Sequence, residues 1–296
     1  MKKEDVTIIG AGPAGVTAAI QLKRSGIHPV IVEKEKVGGL VKNAHWIENY
    51  PGFPGGIDGV QLASLFAMHL DGAGLDVLFE EVVRLDHDGG HFLVETAARR
   101  WLSGIVILSS GTKPKYFPGL FIPPGAEQHI FHEVYPIRDC VGKRIAIVGA
   151  GDAAFDYALN LATNNDVTIL NRSKEARCLP LLRERANESR RITVLDRATI
   201  RAITNVSPEG LCLACQLHEK QASFHVNLLV IAVGREPQRD FISEAITARG
   251  DELKRGEKLY EIGDVRNGAF RQVALAVGDG MRAAMSIWDK LKETRL

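Results

Sequence analysis

Cysteine is scarce in this chain: Cys140, Cys178, Cys212 and Cys215 are the only four in 296 residues. Four thiols in a chain of this length exclude a disulfide-stapled scaffold. A charge excess of one sign is missing as well, since 37 Lys and Arg face 36 Asp and Glu for a formal +1. A dedicated nucleic-acid binder carries a basic excess clustered on one face, so that class is set aside. No uninterrupted apolar run reaches the roughly 18–20 residues of a membrane-spanning helix. The start, Met1-Lys2-Lys3-Glu4-Asp5 before apolar residues, imitates a secretory leader, but glycines and a proline interrupt the supposed apolar region. A cytoplasmic location is therefore expected. With 45% apolar and 25% charged residues the composition is that of a globular protein. The length accommodates two domains of ordinary size.

The stretch Val6 to Ile20 organises the rest. Four β-favouring residues, Val6-Thr-Ile-Ile9, run into Gly10-x-Gly12-x-x-Gly15, and an Ala-rich helix is predicted from Pro13 to Ser25, stopped by Gly26. Gly10 allows the tight strand-to-helix turn, Gly12 lets the backbone approach a pyrophosphate, and Gly15 lets helix and strand pack closely. The helix start aims unpaired N–H groups and its positive dipole end at the phosphates. A second strand, Pro29-Val-Ile-Val-Glu33, ends in an acid roughly 20 residues after the glycines, where a ribose hydroxyl needs an acceptor. Strand, glycines, helix, strand and acid in this order predict a dinucleotide site.

Further along comes Val37-Gly-Gly-Leu40, then Trp46 to Pro54, which reads as loop because two prolines and a glycine exclude a helix there. Asp58 to Leu70 reads as an amphipathic helix with Leu62, Leu65, Phe66 and Leu70 on one face. Short strands follow from Val77 to Leu108, with Asp88-Gly-Gly90 as a hairpin turn, and Ile105 to Gly111 closes the unit as a buried strand. The pattern then repeats. Lys143 to Val148 enters Gly149-Ala-Gly151-Asp152-Ala153-Ala154, a helix runs to about Thr163, and Asp166 to Leu170 forms the next strand. Short strands lie between Ile192 and Phe224, and Leu228 to Gly234 closes the second unit. A Pro- and Gly-rich linker falls near Lys113 to Pro124. The chain ends through Lys258-Leu-Tyr-Glu-Ile-Gly263-Asp264 and a helix from about Arg271 to Leu291. The predicted fold class is α/β, with two Rossmann-like, three-layer domains, the second inserted into the first. The boundaries are 1–114 plus 241–296 for one and 115–240 for the other. Two dinucleotide units in one chain are the architecture of electron transfer between a nicotinamide nucleotide and a flavin.

These residues together resemble the low-molecular-weight thioredoxin reductases over essentially the whole chain. The matching pieces are Gly10-x-Gly12-x-x-Gly15 with Glu33, Gly38-Gly39, Glu48-Asn-Tyr-Pro-Gly52, the Gly149 motif, Gly263-Asp264 and Arg271-Gln272. The resemblance implies FAD in the first domain, NADPH in the second and a homodimer. It places Gly10, Gly12, Pro13, Ala14, Gly15, Glu33, Lys34, the Gly38-Gly39-Leu40 loop, Asn49, Val82, Ser110 and Gly111 along the FAD. Asp264 beside Gly263 would contact the ribitol, Gln272 and Val273 would meet the flavin's pyrimidine edge, and Arg271 would be a further cofactor-binding residue. Gly149, Gly151, Asp152, Ala153, Ala154 and Gly234 would line the nicotinamide nucleotide.

The departures are as informative. Thioredoxin reductases carry a Cys-x-x-Cys pair shortly before the second glycine motif, and this chain has His132-Glu-Val-Tyr135 there. Dithiol exchange with a protein disulfide needs that pair. Cys212-Leu-Ala-Cys215 does not replace it, because its surroundings read as a strand. Residues three apart on a strand point to opposite faces with Cα atoms roughly 10 Å apart, beyond the ~7 Å reach of a disulfide. The stretch Val141 to Leu159 is similar to the thioredoxin-reductase-like ferredoxin–NADP reductases, which also lack the cysteines. That branch carries a C-terminal extension, whereas this sequence stops at Leu296, and the 241–260 segment reads as short. In the ribose-reading position, Asn171-Arg172-Ser173 with Arg177 offers cations for a 2′-phosphate and no acid for a hydroxyl pair, which favours NADPH over NADH. Asp152 can cap the helix, although its charge sits where a pyrophosphate is expected. Hydride transfer needs orientation more than an acid or base, so no catalytic residue and no metal site are assigned. The expected activity is an FAD-dependent NAD(P)H oxidoreductase feeding a small ferredoxin- or flavodoxin-like acceptor. The alternatives are a ferredoxin-fed flavoprotein not reduced by NAD(P)H, and a flavin-binding sensor with little turnover.

Overall fold

The computed structural model describes residues 2–295, with side chains through Lys292. It divides into two compact units, one of residues 1–42, 47–113 and 236–296, the other of residues 43–46 and 114–235. The four residues Asn43–Trp46 thus cluster with the second unit, and the later crossing falls at 235/236 where the sequence suggested 240/241.

In the first unit β1 (Lys3–Ile9) leads into α1 (Pro13–Arg24), β2 (Val30–Glu33), α2 (Gly59–Gly72), β3 (Val77–Phe79), β4 (Val82–Asp88), β5 (His91–Thr96) and β6 (Arg100–Leu108). The sheet order is β3-β2-β1-β6-β5-β4. β1 runs parallel to β2 and β6, whereas the β4–β5–β6 stretch is antiparallel, joined by the predicted Gly89-Gly90 turn. Asp58 precedes α2 as its cap, its carboxylate accepting the N–H groups of Val60 at 2.9 Å and Gln61 at 3.2 Å. The two passages between units, β7 (Thr112–Pro114) and a later β16 (Arg235–Pro237), pair as a two-stranded ribbon.

The second unit contains β8 (Ile130–Phe131), β9 (Arg144–Val148), α3 (Asp152–Leu161), β10 (Asp166–Asn171), α4 (Pro180–Glu188), β11 (Ile192–Asp196), β12 (Ala198–Ser207), β13 (Gly210–Leu217), β14 (Lys220–Val226) and β15 (Leu228–Ile231). A five-stranded parallel sheet, β11-β10-β9-β15-β8, is its middle layer. Alternation along the strands supplies both faces. Ile145, Ile147, Val167 and Ile169 pack towards α3 and α4. Ala146, Val148, Leu170, Leu229 and Ile231 pack towards the antiparallel sheet β12-β13-β14. This is the predicted three-layer arrangement.

The chain re-enters the first unit through α5 (Glu244–Arg255), β17 (Leu259–Glu261), which pairs with β6, and α6 (Val273–Arg295). Two of these helices gave no sequence signal. In α4 only Ala186 is buried, and α5 buries just Ile246 and Leu253 around an internal Gly250, too few apolar positions to show a 3.6-residue period. The terminal helix starts at Val273, so Arg271 and Gln272 precede it instead of forming its first turn. No described helix is long and apolar enough to cross a membrane.

α5 covers a core in which Phe92 and Leu85 are fully buried. His87 lies in this layer, 9% exposed, edge-on to the Phe92 ring at 4.9 Å between centroids. Neither ring nitrogen has a hydrogen-bond partner. Burial holds its pKa below the usual histidine value of 6.5, with Arg249 and Lys258 pushing the same way and Glu252 and Asp88 opposing. The unfolded chain then binds the proton more readily than the folded one, so stability is complete above pH 6.5 and falls as pH drops through that value towards the folded pKa. Comparing wild type with His87→Leu, we expect the variant to lose less Tm between pH 7 and pH 5. Parallel Tm-against-pH curves would refute this.

Candidate functional site

The first glycine turn shows two different reasons for glycine. Gly10 sits at φ +104°, and an added Cβ would lie 2.3 Å from the Ser109 carbonyl oxygen. At Gly15 it would lie 2.0 Å from the Gly10 carbonyl oxygen. Packing within the unit demands both. Gly12 is extended, with φ −73° and ψ −178°, and a Cβ there would meet nothing within 4 Å. Neither backbone conformation nor packing requires glycine at that point. What remains is open space against bare backbone at the start of α1, the cradle that a pyrophosphate fits.

Several predicted residues converge on this turn. The Gly38 N–H donates to the Ala11 carbonyl at 2.8 Å, and a Cβ on Gly39 would approach the Gly12 Cα to 3.3 Å. Glu33 is buried, its two oxygens accepting the N–H groups of Ala11 at 2.8 Å and Glu35 at 3.0 Å. A carboxylate has about four acceptor sites, so capacity for ribose hydroxyls is left. A Cβ on Gly263 would lie 2.9 Å from the Ala14 Cβ, which brings Gly263-Asp264 to the same turn. Asp279 fixes that junction by accepting from Gly263 N at 3.1 Å and Asn267 Nδ2 at 2.7 Å. Pro13 is the first residue of α1. Asn49 Nδ2 donates to Gln272 Oε1 at 2.9 Å, joining two pieces far apart in sequence. Lys34 is exposed, and Leu40, Arg271 and Val273 are half-buried.

Other predicted residues are occupied differently. The Val82 side chain belongs to the core, which leaves only its main chain for a ligand. The Ser110 hydroxyl donates to the Gln238 carbonyl at 2.7 Å, and the Gly111 carbonyl accepts the Gln238 N–H at 3.0 Å. Both tie the strand end to the returning chain.

The second turn repeats the geometry. Gly149 sits at φ +123°, with a would-be Cβ 2.2 Å from the Ala232 carbonyl oxygen. Gly151 is extended, and a Cβ there would meet nothing within 4 Å. Buried Ala154 stands where the first turn has its third glycine, and Ala153 is exposed. Gly234 accepts the Lys115 N–H at 3.0 Å. The expected cap is absent: Asp152 makes no cap bond to α3, and its Oδ1 accepts the Leu179 N–H at 2.8 Å. Arg172 and Arg177 are exposed, and the Arg177 N–H donates to the Ala150 carbonyl at 2.8 Å. Asn171 is buried and committed, donating to Asp196 Oδ1 at 2.8 Å and accepting the Ser173 N–H at 3.0 Å.

The stretch His132–Tyr135 holds a polar network. Glu133 pairs with Arg235, accepts from Asn43 Nδ2 at 2.6 Å, and lies 3.5 Å from the Tyr157 hydroxyl. Burial, with help from the Glu133 charge, raises the Tyr157 pKa above the ordinary phenol range. The Tyr135 N–H donates to Asn43 Oδ1 at 3.0 Å, and His132 Nδ1 lies 3.3 Å from the Ile231 carbonyl. Asp156 accepts the His45 N–H at 2.9 Å, and burial still pushes its carboxyl up to about 6. None of Asn43, Glu133, Asp156, Tyr157 and Arg235 stood out in sequence, because no local motif links them. Cys212 and Cys215 lie on β13 opposite His225 and Ala222. Cys215 is buried, which pushes its thiol up to about 11, and all four cysteines are free.

Two open glycine turns, each between a parallel strand and a helix, define a two-dinucleotide oxidoreductase. The chain belongs to the family described as pyridine nucleotide-disulphide oxidoreductase, whose model matches residues 4–280. It is 26% identical to the thioredoxin reductase of Bacillus subtilis, over 98% of this chain and 95% of that protein. It is 28% identical to the bifunctional thioredoxin reductase/thioredoxin of Mycobacterium leprae over 95% of this chain, which spans only 64% of that relative's length. The crystal structure of Lactococcus lactis thioredoxin reductase in its FR conformation superposes with a TM-score of 0.86 at 25% identity, covering 98% and 99% of the two chains. Thioredoxin reductase family members use FAD and NADPH, and this chain is a thioredoxin reductase-like, FAD-dependent oxidoreductase.

Proposed function

We propose that this protein takes electrons from NADPH and delivers them through FAD to a separate acceptor without an internal dithiol. The observation that carries this reading is the stretch His132–Tyr135, which has no cysteine and whose Glu133 and Tyr135 are engaged with Asn43 and Arg235. In this reading the first unit is the FAD domain, with Gly12, Glu33, Gly38-Gly39, Asn49, Asp264 and Gln272 around the cofactor. The second unit holds NADPH at Gly149 and Gly151, with Arg172 and Arg177 on the 2′-phosphate. Bound FAD supplies the chemistry, accepting a hydride and releasing electrons one or two at a time. The protein's part is to orient the two nucleotides and exclude water. A ferredoxin- or flavodoxin-like carrier fits an acceptor that needs no thiol, as the resemblance of residues 141–159 to the ferredoxin–NADP reductases suggests. Exposed Leu275, Met281, Met285 and Trp288 on α6 support a homodimer through that helix, and a cytoplasmic location accords with this activity.

A second reading, in which reduced ferredoxin feeds the flavin, is favoured by Arg172 standing between uncharged Asn171 and Ser173 and by the committed side chain of Asn171. Anaerobic stopped-flow at the flavin band separates the two. We expect bleaching within milliseconds to seconds, faster with NADPH than with NADH. A flavin that neither nucleotide bleaches, in protein that is folded and yellow, would eliminate the proposal, and reduction by ferredoxin alone would establish the second reading.

A further inference from the structure

Asp152 stands at the start of α3, where its charge opposes a pyrophosphate, and yet it does not cap the helix. The loop from Asn171 to Leu179 carries three exposed cations, Arg172, Lys174 and Arg177. One end of this loop is fixed through Asn171 to Asp196 and through the Arg197 N–H to the Ser173 carbonyl at 2.9 Å. The other end is tied to the second glycine turn and its helix at Arg177, whose N–H donates to the Ala150 carbonyl in a short parallel bridge with Gly151, and at Leu179, whose N–H donates to the Asp152 carboxylate. The Leu179 carbonyl in turn begins α4, accepting the Leu182 and Arg183 N–H groups. We infer that Asp152 is a positioning residue that clamps the basic loop to the glycine turn and thereby sets the preference for NADP(H) over NAD(H). This rests on the reading that the second unit holds NADPH. The carboxylate is directed into a charge-assisted bond with Leu179, which removes part of the conflict with a phosphate. Released from Asp152, the loop is tied to the glycine turn by the Arg177 bridge alone and spreads its cations over more conformations. A nucleotide with a 2′-phosphate feels that loss, and one with a bare hydroxyl does not.

The test uses FAD-loaded protein and calorimetric titration with NADP⁺ and NAD⁺, which needs no turnover. Asp152→Ala removes the acceptor. Asp152→Asn keeps an amide oxygen that can accept from Leu179 while removing the charge. Leu179→Pro removes the donor, and its φ of −55° suits the proline ring. Tm and flavin absorbance check that each variant is folded. We expect Asp152→Ala and Leu179→Pro each to reduce the NADP⁺ preference about tenfold through weaker NADP⁺ binding alone, and the double variant to lose no more than either. Asp152→Asn should stay within about twofold of wild type. Equal weakening of both nucleotides, an unchanged preference, or an Asp152→Asn variant that behaves like Asp152→Ala would each overturn the clamp. Wild-type protein that binds neither nucleotide would instead overturn the NADPH reading on which it stands.

Discussion

Gly12→Val is expected to yield a folded, colourless protein. A Cβ at Gly12 meets no atom beyond its chain neighbours within 4 Å, and the backbone there is extended, so a Cβ is accommodated without strain. Only the helix cap changes, at a few tenths of a kcal/mol to about 1. The valine does occupy the space through which a pyrophosphate approaches the N–H groups of α1. Loss of FAD affinity should be at least about 100-fold, on the order of 3 kcal/mol. The measurement is flavin absorbance after purification and FAD titration of the apoprotein, with Tm compared against flavin-stripped wild type. Gly15→Val is the contrasting control, since its Cβ would lie 2.0 Å from a backbone oxygen and the protein should not fold. A yellow Gly12→Val protein with wild-type FAD affinity would mean that the cofactor does not lie against this turn.

The second large effect is structural. Gly280→Leu should destabilise the first unit by about 3 kcal/mol or more, because a Cβ there would lie 2.2 Å from the Ala14 carbonyl oxygen and 3.1 Å from Ala18 N. Backbone atoms cannot step aside as a flexible side chain does, so this exceeds ordinary overpacking of about 1–3 kcal/mol. For a chain of this size that is a Tm lower by roughly 6–12 °C. The shift should extend to flavin loss, since α6 packs on the first turns of α1, directly after the cradle. Calorimetry of the variant would settle it, and a Tm within about 2 °C of wild type would show that α1 and α6 can separate without loss.

The glycine turns, their strands and Glu33 were legible because their chemistry is local: a strand that must turn sharply into a helix and leave its N–H groups open has few sequence solutions. Cys212 and Cys215 were legible for the same reason, as strand alternation fixes which way each thiol faces. α4 and α5 were not, since each packs through so few apolar side chains that no periodicity forms. The role of Asp152 was also out of reach, because its partner is a backbone N–H 27 residues away that any residue but proline would present.

The sequence by itself thus determined that two dinucleotide folds follow one another, that no cysteine pair precedes the second, and which glycines face open space or neighbouring strands in kind. Tertiary structure decided what these local features touch. It brought Asn49 to Gln272 and Gly263 to Ala14, placed Asn43–Trp46 with the second unit, and built the Glu133 network from residues up to about a hundred positions apart. The physical reason is that turns and strand faces are fixed by interactions between near neighbours in the chain. The partners of a buried carboxylate or a loop N–H are fixed only when distant segments pack and leave those groups no water to bond.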